Sequence, residues 1–166
     1  MRRSIHALSM IVAFAVGSAI ARSETTNAPL AFYIVSDQKI DGGKFVDTRN
    51  LPKVGYISSA PDLVVSNLLD VYRENRATSA VVDGKVVPSH PAPGLAVVLR
   101  SDDAKRFTAL TQKAVGKRLL VALGDRPLTA PKVAVPIETD RFSIVFANES
   151  ELRKTQDDLK KLIPAG

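Results

Sequence analysis

Apolar residues fill most of positions 7–20, behind Arg2 and Arg3 and running into the small residues Ala19 and Ala21. A basic start, a short apolar run and an A-x-A arrangement together predict a secretory signal peptide over residues 1–21, with cleavage after Ala21. The run falls short of the roughly 20 residues with which a helix crosses the hydrocarbon core, so an uncleaved anchor is not expected. Past a polar stretch the pattern changes to short β-type segments. Residues 30–35 (LAFYIV) are rich in β-branched and aromatic side chains and predict a strand, and 53–58 (KVGYIS) predict another. Between them, residues 37–50, with Gly42 and Gly43, predict a loop or irregular hairpin. In residues 61–74, Asp62 is placed to cap a helix, yet Leu63, Val64, Val65, Leu68, Leu69 and Val71 fit helical and extended periods about equally. Strand is the expectation there. Two valine pairs in residues 80–87 flank Asp83-Gly84, a dipeptide that favours the tight turn of a hairpin. Residues 88–93 (PSHPAP) hold three prolines, which cannot donate to a central ladder, and predict a linker that divides the chain.

Beyond that linker the periods are clearer. Residues 95–99 (LAVVL) predict a buried strand, and a helix begins at Ser101 with Asp102 and Asp103 at the positive end of its dipole. Ala104, Phe107, Leu110 and Ala114 recur at helical spacing as its buried stripe, and Gly116 is placed to stop it in a left-handed conformation. Residues 119–123 (LLVAL) predict a strand, followed by turn chemistry at 124–127 and a strand over 128–135 that Pro131 and Pro136 interrupt or confine to an edge. Residues 141–146 alternate, with Phe142, Ile144 and Phe146 on one face. Asn148 and Glu151 then make a capping signature for a helix to about residue 163, with Leu152, Leu159, Leu162 and Ile163 as its apolar face. The order strand, helix, strand, strand, strand, helix predicts an α+β fold, a mixed or antiparallel sheet with two helices on one face. Three regions follow: the leader at 1–21, a small β-rich N-terminal region with its linker at 22–92, and an α+β domain at 93–166.

Composition narrows the function. The chain has no cysteine, which removes disulfides and a lipid-modified cysteine alike. Losing Arg2 and Arg3 with the leader lowers the formal charge from +6 to about +4, with basic residues interspersed among acidic ones and no nucleic-acid motif, so no nucleic-acid partner is expected. No second apolar segment is long and uniform enough to span a membrane. Periplasmic localisation is the expectation.

Candidate chemistry is sparse. His90 is the one histidine beyond the leader and sits in the proline-rich linker, too few ligands for a metal site. There is no thiol, no G-x-S-x-G elbow and no glycine-rich phosphate loop, since Gly42-Gly43 lacks both the spacing and the following helix. Asp102-Asp103 and Asp157-Asp158 are sequence neighbours on helices, diverge, and read as capping and solvation. No catalytic residue, metal ligand or cofactor is therefore expected, and no binding residue is assigned. Phe107, Phe142 and Phe146 read as core, whereas Tyr33, Tyr56 and Tyr72 lie in the weakly patterned first half, where an exposed binding surface is to be sought first.

One stretch carries a family pattern. Ala104, Phe107 and Thr111 on the helix, Val115-Gly116-Lys117-Arg118 at its end, Asp125 in the turn, Ala130-Pro131 on the next strand and Pro136-Ile137 before the last strand follow one another in order over residues 93–163. This stretch resembles the periplasmic head of SecD, the protein-export subunit, and residues 30–87 look loosely like the strands that lead into it. The resemblance implies a non-enzymatic periplasmic binding or interaction protein with a protein or peptide partner, in contact with exported polypeptide or envelope proteins. It does not bring the membrane helices with which SecD-type subunits couple proton flow to export. A small-ligand or cell-wall-binding module on the same fold is the alternative.

Overall fold

The computed structural model describes residues 27–48, 51, 53–76, 79–82, 85–88 and 92–165, so the predicted leader, His90 and Asp83-Gly84 lie outside the described residues. Strands β1 (Leu30–Ile34), β2 (Lys44–Val46), β3 (Gly55–Ile57), β4 (Leu63–Val65), β5 (Leu68–Arg76), β6 (Ser79–Val82), β7 (Lys85–Pro88) and β8 (Ala92–Leu99) precede helix α1 (Ser101–Lys113). Strands β9 (Leu119–Leu123), β10 (Arg126–Thr129) and β11 (Arg141–Val145) follow, and helix α2 (Glu149–Lys160) closes the order. The fold is α+β, with antiparallel sheets and two helices. The ambiguous segment 61–74 is extended: β4 and β5 are separated by two residues, and Leu63, Val65, Leu68 and Val71 all enter the core.

Four strands pair in the order β10-β9-β1-β4 and three in the order β11-β8-β5, with β2-β3 and β6-β7 as separate hairpins. One core cluster draws on both larger sheets and both helices, from Leu30 and Phe32 through Leu95 and Val97 to Phe107, Ile144 and Leu159. Phe107 of α1 sits at its centre, with ring centroids 5.2 Å from Phe32 and 5.3 Å from Phe142. Every residue of β9 is buried because the sheet has two covered faces. Leu119, Val121 and Leu123 face the main core, while Leu120 joins Val35, Val46, Val54 and Ile57 in a smaller cluster under the β2-β3 hairpin.

The division expected at residue 92 separates strands that are partners in space. β1 pairs along its length with β9, and β5 pairs with β8 from Leu68 to Arg76. Pro93 itself lies within β8, opposite Asn75. A proline is tolerated there because its carbonyl still accepts from Phe146 N at 3.0 Å on the other side.

Two further boundaries move. β10 starts at Arg126, ahead of Pro127, and ends at Thr129, with a register shift between Pro127 and Thr129. Past Pro131 only isolated bridges remain, Arg118 with Lys132 and Val115 with Val133. α2 ends at Lys160 because the amides of Leu162 and Ile163 turn back three residues, to Leu159 and Lys160, which tightens the last turn while keeping Leu162 buried. Its N-terminus is capped as the pattern predicts, Asn148 Oδ1 accepting from Glu151 N at 2.9 Å.

Candidate functional site

The matched positions of residues 93–163 have structural work. Thr111 is fully buried, its hydroxyl donating to Thr108 O and accepting from Ile137 N, both at 3.0 Å. Thr108 in turn donates to Ile137 O at 3.0 Å, so two helix hydroxyls tie the segment before β11 to α1. Gly116 has φ +80 and lies two residues beyond Ala114, the C-cap of α1, in the turn that Lys117 N closes onto Ala114 O at 2.9 Å. The acidic pairs, read from the sequence as capping and solvation, make ion pairs: Asp102 and Asp103 with Lys105 and Arg106 one turn along, and Asp158 with Arg126 and Lys161, while α1 has no side-chain cap bond at its N-terminus.

The tyrosines do not gather into a surface. Tyr33 is half-buried against the β2-β3 hairpin, Tyr56 packs edge-on against Phe45 at 4.9 Å between centroids, and Tyr72 accepts a hydrogen bond from Arg141 Nη1 at 2.8 Å. That contact holds the Arg141 guanidinium above its already high pKa.

The candidate site lies instead in the second half, where β11 forms an open edge. Leu99 N donates to Asp140 O at 2.7 Å and Phe146 N to Pro93 O at 3.0 Å. With the register Phe142 to Val97 and Ile144 to Leu95, the even-numbered residues of β11 make the bonds to β8. The N–H and C=O groups of Arg141, Ser143 and Val145 therefore point outward. Thr139 Oγ1 takes the Arg141 carbonyl at 2.8 Å. Among the described residues, no strand lies beside the backbone groups of Ser143 and Val145, since β11 is the last strand of its sheet.

Beside this edge is a groove of about 410 Å³ between β11, β9, the end of β10 and α1. Its floor is the main core seen from outside: Phe107, Leu119, Val121 and Phe142. Val133, Val135 and Ile137 form one wall, with Val135 68% exposed, and Lys132 and Arg141 bring positive charge to the lining. Ser143 borders the groove, and its Oγ is buried without a hydrogen-bond partner among the described residues. A buried hydroxyl in that state is costly. Sequence reasoning missed Ser143 and Val145 because alternation assigns a residue to a face but not to a sheet edge. Among the described residues, no three His, Cys, Asp or Glu side chains come together, and no helix is long and apolar enough to cross a membrane.

No family model matches the chain, and no curated protein does. Solved structures do match, and they define an α+β fold of SecD type. SecDF in its super-membrane-facing form matches with a TM-score of 0.54 and 21% identity, over 81% of this chain and 19% of that one. A second SecDF structure, described as a membrane component that enhances protein export, matches with a TM-score of 0.53 and 20% identity, over 81% of this chain and 63% of that one. The chain thus has a SecD-like fold and spans less than two thirds of either chain. The matched share exceeds residues 93–163, so strands from the β-rich N-terminal region belong to the SecD-like fold as well.

Proposed function

We propose that this chain is a non-enzymatic periplasmic protein, of the type of the SecD head, that binds exported polypeptide in an extended form along β11. The observation that carries this reading is the open edge at Ser143 and Val145 above an apolar groove. An extended segment added to that edge gains main-chain hydrogen bonds whatever its sequence, and its alternate side chains enter the groove. This mode suits a protein that handles many polypeptides. The groove's lining of valines, aromatic rings, threonines and two cations contains no carboxylate, thiol or imidazole to act as a base. Its shape favours a peptide over a small envelope molecule, because a trough beside a strand edge matches an extended chain, whereas a small ligand is better served by an enclosed pocket. The similarity to SecDF, one structure of which is described as enhancing protein export, supports placing the partner among exported polypeptides.

The test uses the purified chain and a ten-residue peptide that alternates valine with serine, followed by amide chemical-shift titration. Saturable shifts centred on residues 141–145 are expected. Ser143→Pro removes an outward donor without touching the bonds to β8, as does Val145→Pro, and each should weaken binding by about tenfold while leaving a cooperative thermal transition. Binding that is unaffected in both folded variants, or shifts that map elsewhere, would sink the assignment.

A further inference from the structure

A second cleft, of about 800 Å³, opens at the end of the four-stranded sheet where the β2-β3 hairpin covers its back. Four cations line it from three stretches of chain: Lys53 in the loop of that hairpin, Lys117 and Arg118 leading into β9, and Lys132 beyond β10. None of the four has an ion-pair partner among the described residues. Outside the cleft, Arg73, Lys105, Arg106, Arg126, Arg153 and Lys161 each reach a carboxylate, whereas Lys39, Lys44, Lys113 and Lys160 stand apart from one another along the chain without an ion pair among the described residues. Two acids also line the cleft, Asp37 and Asp62, but Asp62 Oδ2 already accepts from Ile34 N at 2.7 Å.

The cations are held against their own repulsion. Arg118 and Lys132 form an antiparallel bridge flanked by Leu119 N to Pro131 O and Val133 N to Lys117 O, both 2.9 Å. That pattern makes them a non-hydrogen-bonded pair, the closer of the two kinds, with side chains on one face. Like charges directly opposite are unfavourable there. Arg118 O also accepts from Val35 N at 2.9 Å, so its backbone is pinned on both sides and cannot turn the charge away cheaply. Lys53 adds a separate cost. It has φ 50, the one non-glycine residue with positive φ among the described residues, and its amide donates to Asp47 Oδ1 at 3.1 Å. Strained backbone and unpaired like charges at one cleft are marks of a site that something else completes.

We infer that this cleft binds a polyanion carrying two or more phosphate groups. The guanidinium of Arg118 can grip one phosphate with two parallel hydrogen bonds, and the three lysines act as mobile point charges around it. A single phosphate leaves much of a cleft this size unfilled and cannot reach cations from three stretches of chain. The phosphates can come from a soluble compound or from the headgroups of a phospholipid surface. Inorganic pyrophosphate and vesicles of phosphatidylglycerol in phosphatidylcholine separate these sources.

Titrating the purified chain with pyrophosphate should shift the amides of residues 53–54 and 116–118 saturably. Arg118→Gln and Lys132→Gln should each weaken binding by about tenfold, while Lys113→Gln and Lys160→Gln on the helices should not. Without pyrophosphate, the two cleft variants should melt no lower than the parent, because each relieves the opposed pair. Binding to the anionic vesicles alone, lost in both cleft variants, would assign the phosphates to a lipid surface. The inference is overturned if neither probe binds, or if the helix variants weaken binding as much as the cleft variants. Ser143→Pro should leave pyrophosphate binding intact, which keeps this site separable from the groove at β11.

Discussion

Asp158 takes Lys161 Nζ at 2.9 Å and Arg126 Nη2 at 3.3 Å, and Arg126 also donates to the buried Thr155 hydroxyl at 3.0 Å. The hydrogen bond from Lys161, then its charge and that of Arg126, hold the Asp158 carboxyl below the ordinary aspartate value against the opposing effect of burial. A carboxylate whose folded pKa is depressed stabilises the fold fully above its unfolded pKa of about 4, and that contribution is lost as pH falls through the folded value. Asp158→Asn should therefore lower the unfolding free energy slightly at pH 7, by no more than about 1 kcal/mol at a partly exposed site. The difference should begin to shrink as the solution is acidified below about pH 4 and disappear only below the depressed folded value. A gap that stays constant across that range would show that the carboxylate's charge is not the cause. The sequence placed Asp158 on a helix surface, but its partner Arg126 is 32 residues away and no helical period links them. Gly55 is a similar case: at φ +134, a Cβ there would lie 2.6 Å from Val35 Cγ1. Nothing in K-V-G-Y-I-S announces that approach.

The tie between α1 and the segment before β11 governs the groove at the next scale. Thr111→Val keeps the shape but removes the acceptor for Ile137 N, leaving a part-buried amide unpaired. Denaturant unfolding should register a loss of about 1–3 kcal/mol. Because that segment carries the Val133 and Val135 wall, peptide affinity at β11 should fall together with stability, and a stability loss with unchanged affinity would separate the wall from the site. The helical period read α1 correctly and put Phe107 and Leu110 on the buried stripe, yet it made no provision for a buried threonine. Thr111 was legible only as part of a family pattern. Alternation likewise placed Phe142, Ile144 and Phe146 inside. It left 61–74 undecided, because short apolar runs satisfy both periods until a strand partner is present.

For the whole molecule the central fact is interleaving. β9 lies between β1 and β10, and β8 between β5 and β11, so each of the two larger sheets takes strands from both sides of the division expected at residue 92. A fragment of residues 93–166 would expose the edge of β9 and lose Phe32, whose ring contacts both Phe107 and Phe142 at 5.2 and 5.5 Å. Expressed alone, that fragment should show no cooperative thermal transition, whereas residues 22–166 should. Cooperative melting of the fragment would establish the linker as a domain boundary. Of the proline run, residues 89–91 lie outside the described residues, whereas Pro88 ends β7 and Pro93 lies within β8.

Local chemistry by itself determined the elements that carry their own period or cap: α1 with its acidic first turn and left-handed Gly116, the Asn148 cap of α2, the buried run of β9 and the alternation of β11. These depend on interactions within a few residues, which is the range over which a sequence pattern carries information. Tertiary structure alone decided which strands are edges, and so where Ser143 and Val145 offer backbone that no other described strand pairs with. It also brought Lys53, Lys117, Arg118 and Lys132 to one cleft. Strand order and the meeting of distant loops arise from packing two sheets around one core, and no residue's neighbours in sequence record that choice.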